Sequence, residues 1–327
     1  MADKIRWGIL GTGNIAHSFA RGLPVVADAE LLAVGSRSQK TADTFGDEFN
    51  VPRRYATYEE LANDPDVDVI YISSPHTAHL DNSMLCLRAG KAVLCEKPFT
   101  INTAQAEELI RFARSQHLFL MEAMWTRFLP ILARVRELLA EQAIGEPRMV
   151  AADFGFRTGF NPKSRLFDPA LGGGALLDVG VYTVSLASMI FGEPTRVAGL
   201  AHLGETGVDE QSAMILGYPA GQLGVLYTAI RTSTPHDATI MGTDGSIRIH
   251  SPSWKPTRLT LNQSGKEAET LVLPFEGNGY GHEARAVGDA LRAGQTESPI
   301  MPLDETLAIM RTMDRIRAEW GLKYPME

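Results

Sequence analysis

A glycine-rich segment near the amino end places the strongest constraint on the fold. The apolar run 5–10 leads directly into Gly11-Thr12-Gly13-Asn14-Ile15-Ala16, and a helical pattern then continues to about Gly22. Between a strand and a helix, the first glycine allows a tight turn, the second lets the backbone approach a pyrophosphate, and the small last residue allows close packing. The amino end of the helix attracts phosphate groups. The segment therefore predicts a dinucleotide cofactor held at residues 11–15, with an ordinary strand-to-helix turn as the alternative.

Strands and helices continue to alternate through the first third of the chain. The pattern predicts strands at 31–35, 67–72, 92–95 and 119–121, with helices at 41–49, up to about 89 and at 103–116. Such alternation is typical of βαβ units, which form a parallel sheet covered by helices on both faces. We therefore expect an α/β fold whose first domain, residues 1–123, is a Rossmann domain, a doubly wound parallel sheet that binds the dinucleotide.

From Trp125 onward the pattern changes. A predicted helix to Ala143 is followed by short β-rich runs at 148–156, 195–202, 212–218, 222–229, 238–241, 246–250, 258–261 and 270–273. Successive strands of this kind predict a large, mostly antiparallel sheet in an α+β domain, with helices at 177–191, 280–293 and 303–320 covering one face. We expect residues 124–327 to bind substrate. Because an uncovered apolar sheet face is rarely exposed by a monomer, we also expect a homodimer or higher homo-oligomer.

The residues after the second strand indicate which dinucleotide is bound. A protein that binds NAD usually has an acidic residue there for the ribose hydroxyl, but this chain has Ser36-Arg37-Ser38. Arg37 offers a planar cationic donor for a 2′-phosphate, and Ser36 and Ser38 offer hydroxyl donors beside it. NADP(H) is therefore favoured over NAD(H). The alternative is that Arg37 is a solvated arginine before the next helix.

Two further loops follow strands of the parallel sheet, at the edge where such sheets bind ligands. The first contains Ser74, Pro75, His76 and His79. Its two histidines either line the nicotinamide side or are ordinary polar residues in the first turn of a helix. The second loop is Glu96-Lys97-Pro98, in which the proline restricts Lys97 to extended conformations and aims it in one direction. We expect these residues to contact the cofactor, with a solvated loop lysine as the alternative for Lys97.

Composition and charge exclude several classes of protein. The 327 residues carry a formal net charge of -8, which offers no general attraction for nucleic acid or anionic lipid. No apolar run approaches the length of a membrane span, and no His, Cys and Asp pattern has the spacing of zinc ligands. The two cysteines, Cys86 and Cys95, lie on a predicted helix and a predicted buried strand. We expect a cytoplasmic protein without a bound metal, whose partners are small molecules and copies of itself.

Several segments together resemble one oxidoreductase family. The glycine segment 11–16, the Glu96-Lys97-Pro98 loop and the long second half are similar to the glucose-fructose oxidoreductase, inositol dehydrogenase and rhizopine-catabolism family. The stretches LCEKP (94–98), MEAMWTRF (121–128) and GGGALLD (172–178) resemble its dimeric dihydrodiol dehydrogenase and NADP-dependent D-xylose dehydrogenase branch. Many members of the wider family have a histidine four residues after the helical aspartate. This chain has Tyr182 after Asp178, as that branch does, and the branch implies a dimer in which two sheets pack face to face.

Asp178 and Tyr182 are the catalytic candidates of the second domain. Four residues apart on a predicted helix, they lie on one face, where both can reach one substrate. Spacing alone leaves open that Asp178 is a helix cap and Tyr182 a core aromatic. The resemblance implies catalysis instead. Lys97 completes the predicted set, because a nearby ammonium lowers the pKa of a phenol and lets it act as a base.

Residues that would contact the substrate are harder to predict. Arg157 lies in an irregular segment before the glycine run, together with Asn161, Arg165 and Phe167, and such loops often bind substrate. The resemblance implies apolar walls of the substrate site at Trp125, Phe154 and Trp254, although each also fits a core position.

The predicted function is hydride transfer between NADP(H) and a CH–OH carbon of a sugar, polyol or cyclic trans-diol. The cofactor takes the hydride, so the protein has to supply a base and no metal. The alternative is a non-catalytic NADP(H)-binding sensor or regulator of the same fold. That alternative predicts loss of Lys97 or of the Asp178 and Tyr182 pair, and the sequence keeps all three.

Overall fold

The computed structural model describes residues 4–327. Backbone contacts divide the chain into two compact units. The first holds the residues up to Phe128 together with Glu276–Thr306, and the second holds Leu129–Phe275 together with Leu307–Glu327. This grouping reflects packing, and the functional domains 1–123 and 124–327 stay predictions.

The first unit contains a six-stranded parallel sheet. Its strands are β1 (Ile5–Leu10), β2 (Ala29–Gly35), β3 (Arg53–Tyr55), β4 (Val69–Ile72), β5 (Ala92–Glu96) and β6 (Leu120–Ala123), in the order β3-β2-β1-β4-β5-β6. β4 and β5 are buried along their whole length, as expected for strands covered on both faces. The predicted Rossmann sheet is confirmed. Its strand order reverses at β1 and β4, where sheets of this type bind ligands.

Five helices connect these strands. They are α1 (Asn14–Gly22), α2 (Gln39–Phe49), α3 (Tyr58–Ala62), α4 (His79–Arg88) and α5 (Thr103–Ser115). Side chains of Ser38 and Asn102 accept backbone N–H groups at the starts of α2 and α5, which are positions that favour such residues. The sequence pattern did not predict β3 or α3, which are only 3 and 5 residues long.

The second unit contains an eight-stranded sheet. Its strands are β7 (Pro147–Gly155), β8 (Arg196–Leu203), β9 (Asp209–Gly217), β10 (Leu223–Ala229), β11 (Ala238–Gly242), β12 (Gly245–Ile249), β13 (Arg258–Gln263) and β14 (Glu269–Val272). They lie in the order β14-β13-β12-β11-β7-β10-β9-β8, and the one parallel pair among them is β7 with β10. The predicted large, mostly antiparallel sheet is therefore confirmed.

Four longer helices lie after β6 in the chain: α6 (Pro130–Ala140), α7 (Val181–Phe191), α8 (Tyr280–Arg292) and α9 (Leu303–Trp320). α7 packs against β7 and β10, as predicted. In α9, the guanidinium of Arg315 donates to the carbonyls of Pro194 and Thr195, which lie between α7 and β8. Both helices therefore support the second unit.

The prediction that α8 covers the antiparallel sheet is wrong, because α8 packs against α1 and β2 of the first unit. Two glycines allow this close approach. A Cβ at Gly281 would lie 2.9 Å from the carbonyl oxygen of Gly22, and a Cβ at Gly22 would lie 2.8 Å from the Cβ of Tyr280. The helical pattern predicted α8 itself, but these small residues determine the surface on which it packs.

Among residues 4–327, one segment, Pro169–Phe191, is long and apolar enough to cross a membrane by length and composition. The prediction that no apolar run approaches that length is therefore wrong. However, 72% of the most apolar window of this segment is buried inside the protein. The segment includes α7, whose contacts with β7 and β10 account for its apolar character.

Candidate active site

The turn after β1 leaves the amino end of α1 open. Gly11 has a φ of +102°, and a Cβ there would lie 2.8 Å from Ser73 Oγ, so glycine alone fits without strain. Gly13 and Asn14 are exposed. Apart from Gly13 and its two chain neighbours, no described residue has an atom within 4 Å of the position that a Cβ would take at Gly13. Residues 11–15 therefore fit the close approach of a pyrophosphate to the first amides of the helix.

The two serines after β2 both contact Thr41. Ser36 Oγ lies 2.6 Å from Thr41 Oγ1, and Ser38 Oγ accepts the Thr41 N–H at 3.3 Å, which caps α2. Thr12 Oγ1 lies 3.3 Å from Ser36 Oγ, so the end of β2 and the glycine turn are neighbours. Arg37 is exposed between the serines. This arrangement fits a 2′-phosphate, and the contact itself stays a prediction.

His79 links the loop after β4 to the loop after β5. Its ring is fully buried, with Nε2 at 2.9 Å from the Ser74 carbonyl and Nδ1 at 2.8 Å from the Pro98 carbonyl. Burial lowers the pKa of His79. These contacts favour the interpretation of His79 as a residue that supports the helix start. His76 is partly exposed beside it, with ring centroids 5.8 Å apart. Contacts of Ser74, Pro75 and His76 with a cofactor stay predictions.

Glu96 fixes the backbone from which Lys97 projects. The Glu96 carboxylate is 4% exposed, and its Oε1 accepts the hydroxyl of Tyr71. Its Oε2 accepts the N–H of Lys97 at 3.0 Å. The peptide bond between Lys97 and Pro98 is cis. Lys97 itself is partly exposed and directly follows β5, so the residue lies at the carboxyl end of that strand.

A second buried carboxyl, which the sequence did not predict, supports the same loop. Glu122 Oε1 accepts the N–H of Phe99 at 3.2 Å, and Oε2 accepts the hydroxyl of Thr306 at 3.1 Å. Burial raises the pKa of Glu122 to about 7. Phe99 directly follows Pro98, so Glu122 holds the backbone next to the loop that carries Lys97.

We expect Glu122 to make the free energy of unfolding fall as the pH rises. A carboxyl with a pKa of 4.5 in the unfolded chain and about 7 in the folded protein keeps its proton only in the folded state between these values. Between pH 4.5 and pH 7 the free energy of unfolding should therefore fall by about 3 kcal/mol. Urea unfolding of wild type and Glu122→Gln at both pH values measures the difference.

The control for this measurement is Glu108→Gln, on the exposed side of α5, which should leave the pH dependence unchanged. A stability difference between wild type and Glu122→Gln that does not vary with pH would contradict the raised pKa.

In the second unit, Asp178 and Tyr182 lie on one helical segment. Asp178 belongs to a π turn, Leu176–Gly180, and Tyr182 lies in the first turn of α7. The sequence predicted an α-helix throughout, whereas π turns are frequent at functional sites. Asp178 is 5% exposed, and its Oδ1 accepts a hydrogen bond from Arg165 Nη1 at 2.7 Å. This ion pair fixes the orientation of the carboxylate.

Tyr182 borders a cluster of aromatic rings. The Phe154 ring centroid lies 5.4 Å from that of Tyr182 and 5.2 Å from that of Trp254, on which it stacks. The structure thus brings two of the predicted walls together with Tyr182. His236, 5.2 Å from Phe154, is a further member that the sequence did not predict. Its position between a proline and Asp237, in the loop before β11, was the available signal.

Arg157 and Trp125 are the other two predicted substrate contacts. Arg157 is exposed, and Arg165 is the arginine that contacts Asp178. Trp125, in the first unit, is 2% exposed and stacks on Tyr280 with ring centroids 4.6 Å apart. This is the packing of a core residue. Substrate contacts of Arg157 and Trp125 stay predictions.

Models of two protein families match the chain. Residues 5–124 match an oxidoreductase family with an NAD-binding Rossmann fold, and residues 132–248 match the GFO/IDH/MocA C-terminal domain. The chain belongs to the GFO/IDH/MocA oxidoreductase family. This confirms the family that the glycine segment, the Glu96-Lys97-Pro98 loop and the second half resemble.

Individual enzymes are similar to this chain over nearly its whole length. A trans-1,2-dihydrobenzene-1,2-diol dehydrogenase of Mus musculus is 39% identical, over 99% of each chain. A 3-ketoreductase of Actinomadura kijaniata, in complex with NADP and TDP-benzene, has a TM-score of 0.85 and 27% identity over 97% of this chain and 98% of its own. An aldose-aldose oxidoreductase of Caulobacter crescentus, complexed with glycerol, has a TM-score of 0.88 and 25% identity over 97% of each chain. As a member of this family, the chain is an enzyme, a nicotinamide-dependent oxidoreductase.

Proposed function

We propose that the enzyme transfers a hydride between NADP(H) and a CH–OH carbon of a sugar, polyol or cyclic trans-diol. The observation that carries this proposal is the segment with Asp178 and Tyr182, where Arg165 contacts the carboxylate and Phe154 contacts the phenol. A carboxylate and a phenol beside an aromatic wall suit a small substrate with several hydroxyl groups and an apolar face. The diol dehydrogenase and aldose oxidoreductase relatives support this substrate class.

Each residue has a distinct role in the proposed oxidation. Bound nicotinamide supplies the hydride acceptor. Tyr182, as the phenolate, accepts the proton of the substrate hydroxyl, and the ammonium of Lys97 favours that phenolate. Asp178, oriented by Arg165, accepts a hydrogen bond from a substrate hydroxyl. In the reverse direction Tyr182 donates the proton.

For the cofactor we propose NADP(H) rather than NAD(H). Arg37 is exposed at the end of β2 between two serines, and Ser36 lies beside Thr12 of the glycine turn. An arginine at this place suits a 2′-phosphate, whereas an acidic residue would suit the free ribose hydroxyl. The 3-ketoreductase relative is in complex with NADP, which supports the choice.

For the assembly we propose a homodimer or higher homo-oligomer formed through the antiparallel sheet. Alternate residues of β8, β9 and β10 are exposed. Several are large and apolar, among them Leu200 (83% exposed), Ile215 (51%), Val225 (36%) and Tyr227 (38%). The strand register pairs Ile215 with Val225, so these side chains form one continuous face. A second copy of the chain would cover it.

Ile215→Glu should shift the protein from an oligomer to a monomer, because the interface would then bury an unpaired carboxylate. Size-exclusion chromatography with light scattering at micromolar concentration measures the mass of each form. Gln116→Glu, at an exposed position after α5, is the control and should stay oligomeric. A wild type that is a monodisperse monomer would show that this face does not join copies.

For the location we propose the cytoplasm. Cys86 and Cys95 are free thiols, and both are buried. Burial raises the pKa of Cys86 to about 12, so its reactive thiolate is disfavoured. Buried, unbridged cysteines are typical of proteins in a reducing compartment.

A turnover panel tests the proposed function. The assay follows NADP reduction by the absorbance of NADPH, with a trans-dihydrodiol, D-xylose, other aldoses and polyols as substrates and an inositol for comparison. We expect turnover with at least one diol or aldose, and little with the inositol. Tight binding of NADP(H) without turnover of any panel member would contradict the proposal and favour a sensor.

A further inference from the structure

We propose that Asp209 and Tyr324 are positioning residues for Asp178 and Tyr182. The inference rests on the catalytic role proposed above for those two side chains. Asp209 and Tyr324 contact the glycine run and the first residues of the segment that carries them. They therefore act through this backbone.

Asp209 holds the start of the segment from the neighbouring strand. It is fully buried at the beginning of β9, and its Oδ2 accepts the N–H of Leu176 at 2.7 Å. Leu176 opens the π turn, and the first N–H groups of a helix lack partners within the helix. Gly174, with a φ of +117°, lies directly against the carboxylate, since a Cβ there would clash with Asp209 Oδ1. The segment thus starts at a fixed point.

The environment of Asp209 indicates that its acceptor oxygen is needed. Burial raises the pKa of Asp209 to about 7, while the amide of Leu176 and the charge of Arg317 act in the opposite direction. A buried carboxyl costs free energy that an apolar residue of similar size would avoid. An apolar residue could fill this position in the core without the Asp209 carboxyl, so the carboxyl is best explained by its hydrogen bond to Leu176.

Tyr324 holds the same run from a second side. It is 2% exposed, and its hydroxyl donates to the carbonyl of Gly173 at 2.7 Å. The Arg317 guanidinium lies 5.0 Å from the centroid of the Tyr324 ring and fixes its place. The N–H of Gly174 donates to the Leu166 carbonyl at 2.9 Å. Consecutive glycines, which are flexible by themselves, are thereby held in one conformation.

The anchored backbone leads directly to the catalytic candidates. The N–H of Asp178 lies 3.3 Å from the carbonyl oxygen of Gly174, so its carboxylate is one turn from the anchor. Tyr182 follows one turn later. Release of the anchor would displace both side chains together, and a displacement of ~1 Å at a reacting group costs about a hundredfold in rate.

Three variants test the proposal, with kcat, KM, the Kd for NADPH and amide hydrogen exchange by mass spectrometry as readouts. Asp209→Ala should lower kcat by about a hundredfold, Tyr324→Phe by about fivefold, and both should leave the Kd for NADPH unchanged. Asp209→Asn keeps an acceptor oxygen and should restore most of the kcat lost in Asp209→Ala. Exchange should rise in the peptide 174–182 in both damaging variants, and not in β7 or β10.

Tyr218→Phe is the matched control, because it removes the hydroxyl of another buried tyrosine of the second unit, one without a hydrogen-bond partner among residues 4–327. It should leave kcat and exchange unchanged. The proposal is overturned if kcat stays within twofold of wild type in Tyr324→Phe and Asp209→Ala, or if exchange rises evenly through the second unit. If Asp209→Ala does not fold, the kcat and hydrogen exchange of Tyr324→Phe and Asp209→Asn, each compared with wild type, decide the question. If wild type turns over no substrate, the proposed function fails, while hydrogen exchange still tests the anchor.

Discussion

Tyr182→Phe should lower turnover by about a hundredfold or more and leave the Kd for NADPH unchanged, because the phenol is the proposed acid and base and contacts Phe154 of the second unit. Stopped-flow or steady-state assays give turnover, and NADPH fluorescence titration gives the affinity. Tyr218→Phe, which changes another buried tyrosine of the second unit just after β9, should keep the activity of the wild type.

Lys97→Met should have a similar effect on turnover, since loss of the ammonium removes the charge that favours the phenolate. Lys40→Met, on the exposed side of α2, is its control.

If Asp178 rather than Tyr182 were the base, the two variants at these positions would give the opposite result. If Tyr182→Phe keeps most of the activity while Asp178→Asn abolishes it, the carboxylate is the base and the proposed assignment is wrong.

Arg37→Asp should weaken NADP binding by orders of magnitude and change NAD binding little. The new carboxylate would repel the 2′-phosphate, yet could accept a hydrogen bond from the free ribose hydroxyl. Titration of both cofactors against wild type and variant measures the ratio of the two Kd values. Arg111→Asp, at an exposed position on α5, is the control for a change of charge away from the site. An equal loss for both cofactors would contradict the role of Arg37.

The sequence predicted the elements whose neighbours are nearby in the chain. β4 and residues 92–95 of β5 are uncharged, mostly apolar runs, and both strands are buried on both faces, so this pattern determines their place. α3 was missed although Thr57 and Glu60 form a capping box, because the helix has only 5 residues and its signal is confined to its first turn. The packing of α8 on α1 depends on Gly22 and Gly281, which are 259 positions apart by their numbers. Periodicity within a single helix contains no information about such a contact.

In the candidate site, too, the sequence predicted local features but not the contacts between residues far apart in the chain. The glycine turn and the residues after β2 and β5 were predictable, because a parallel sheet brings the carboxyl ends of its strands to one edge. The sequence could not show that Arg165 rather than Arg157 contacts Asp178, since both lie in one irregular segment. Nor could it show the π turn at Leu176–Gly180 or the buried carboxyl of Asp209 beneath it. These features arise from packing between distant strands and loops.

The central claim is hydride transfer between a CH–OH carbon and nicotinamide, and isotope transfer tests it most directly. Wild-type enzyme is incubated with NADP and a substrate from the active panel that carries deuterium on the reacting carbon, and the NADPH formed is analysed by mass spectrometry. The account predicts that each NADPH gains one deuterium from the substrate, and that Tyr182→Phe forms the same labelled product far more slowly. NADPH without deuterium, or no reduction with any substrate of the panel, would contradict it.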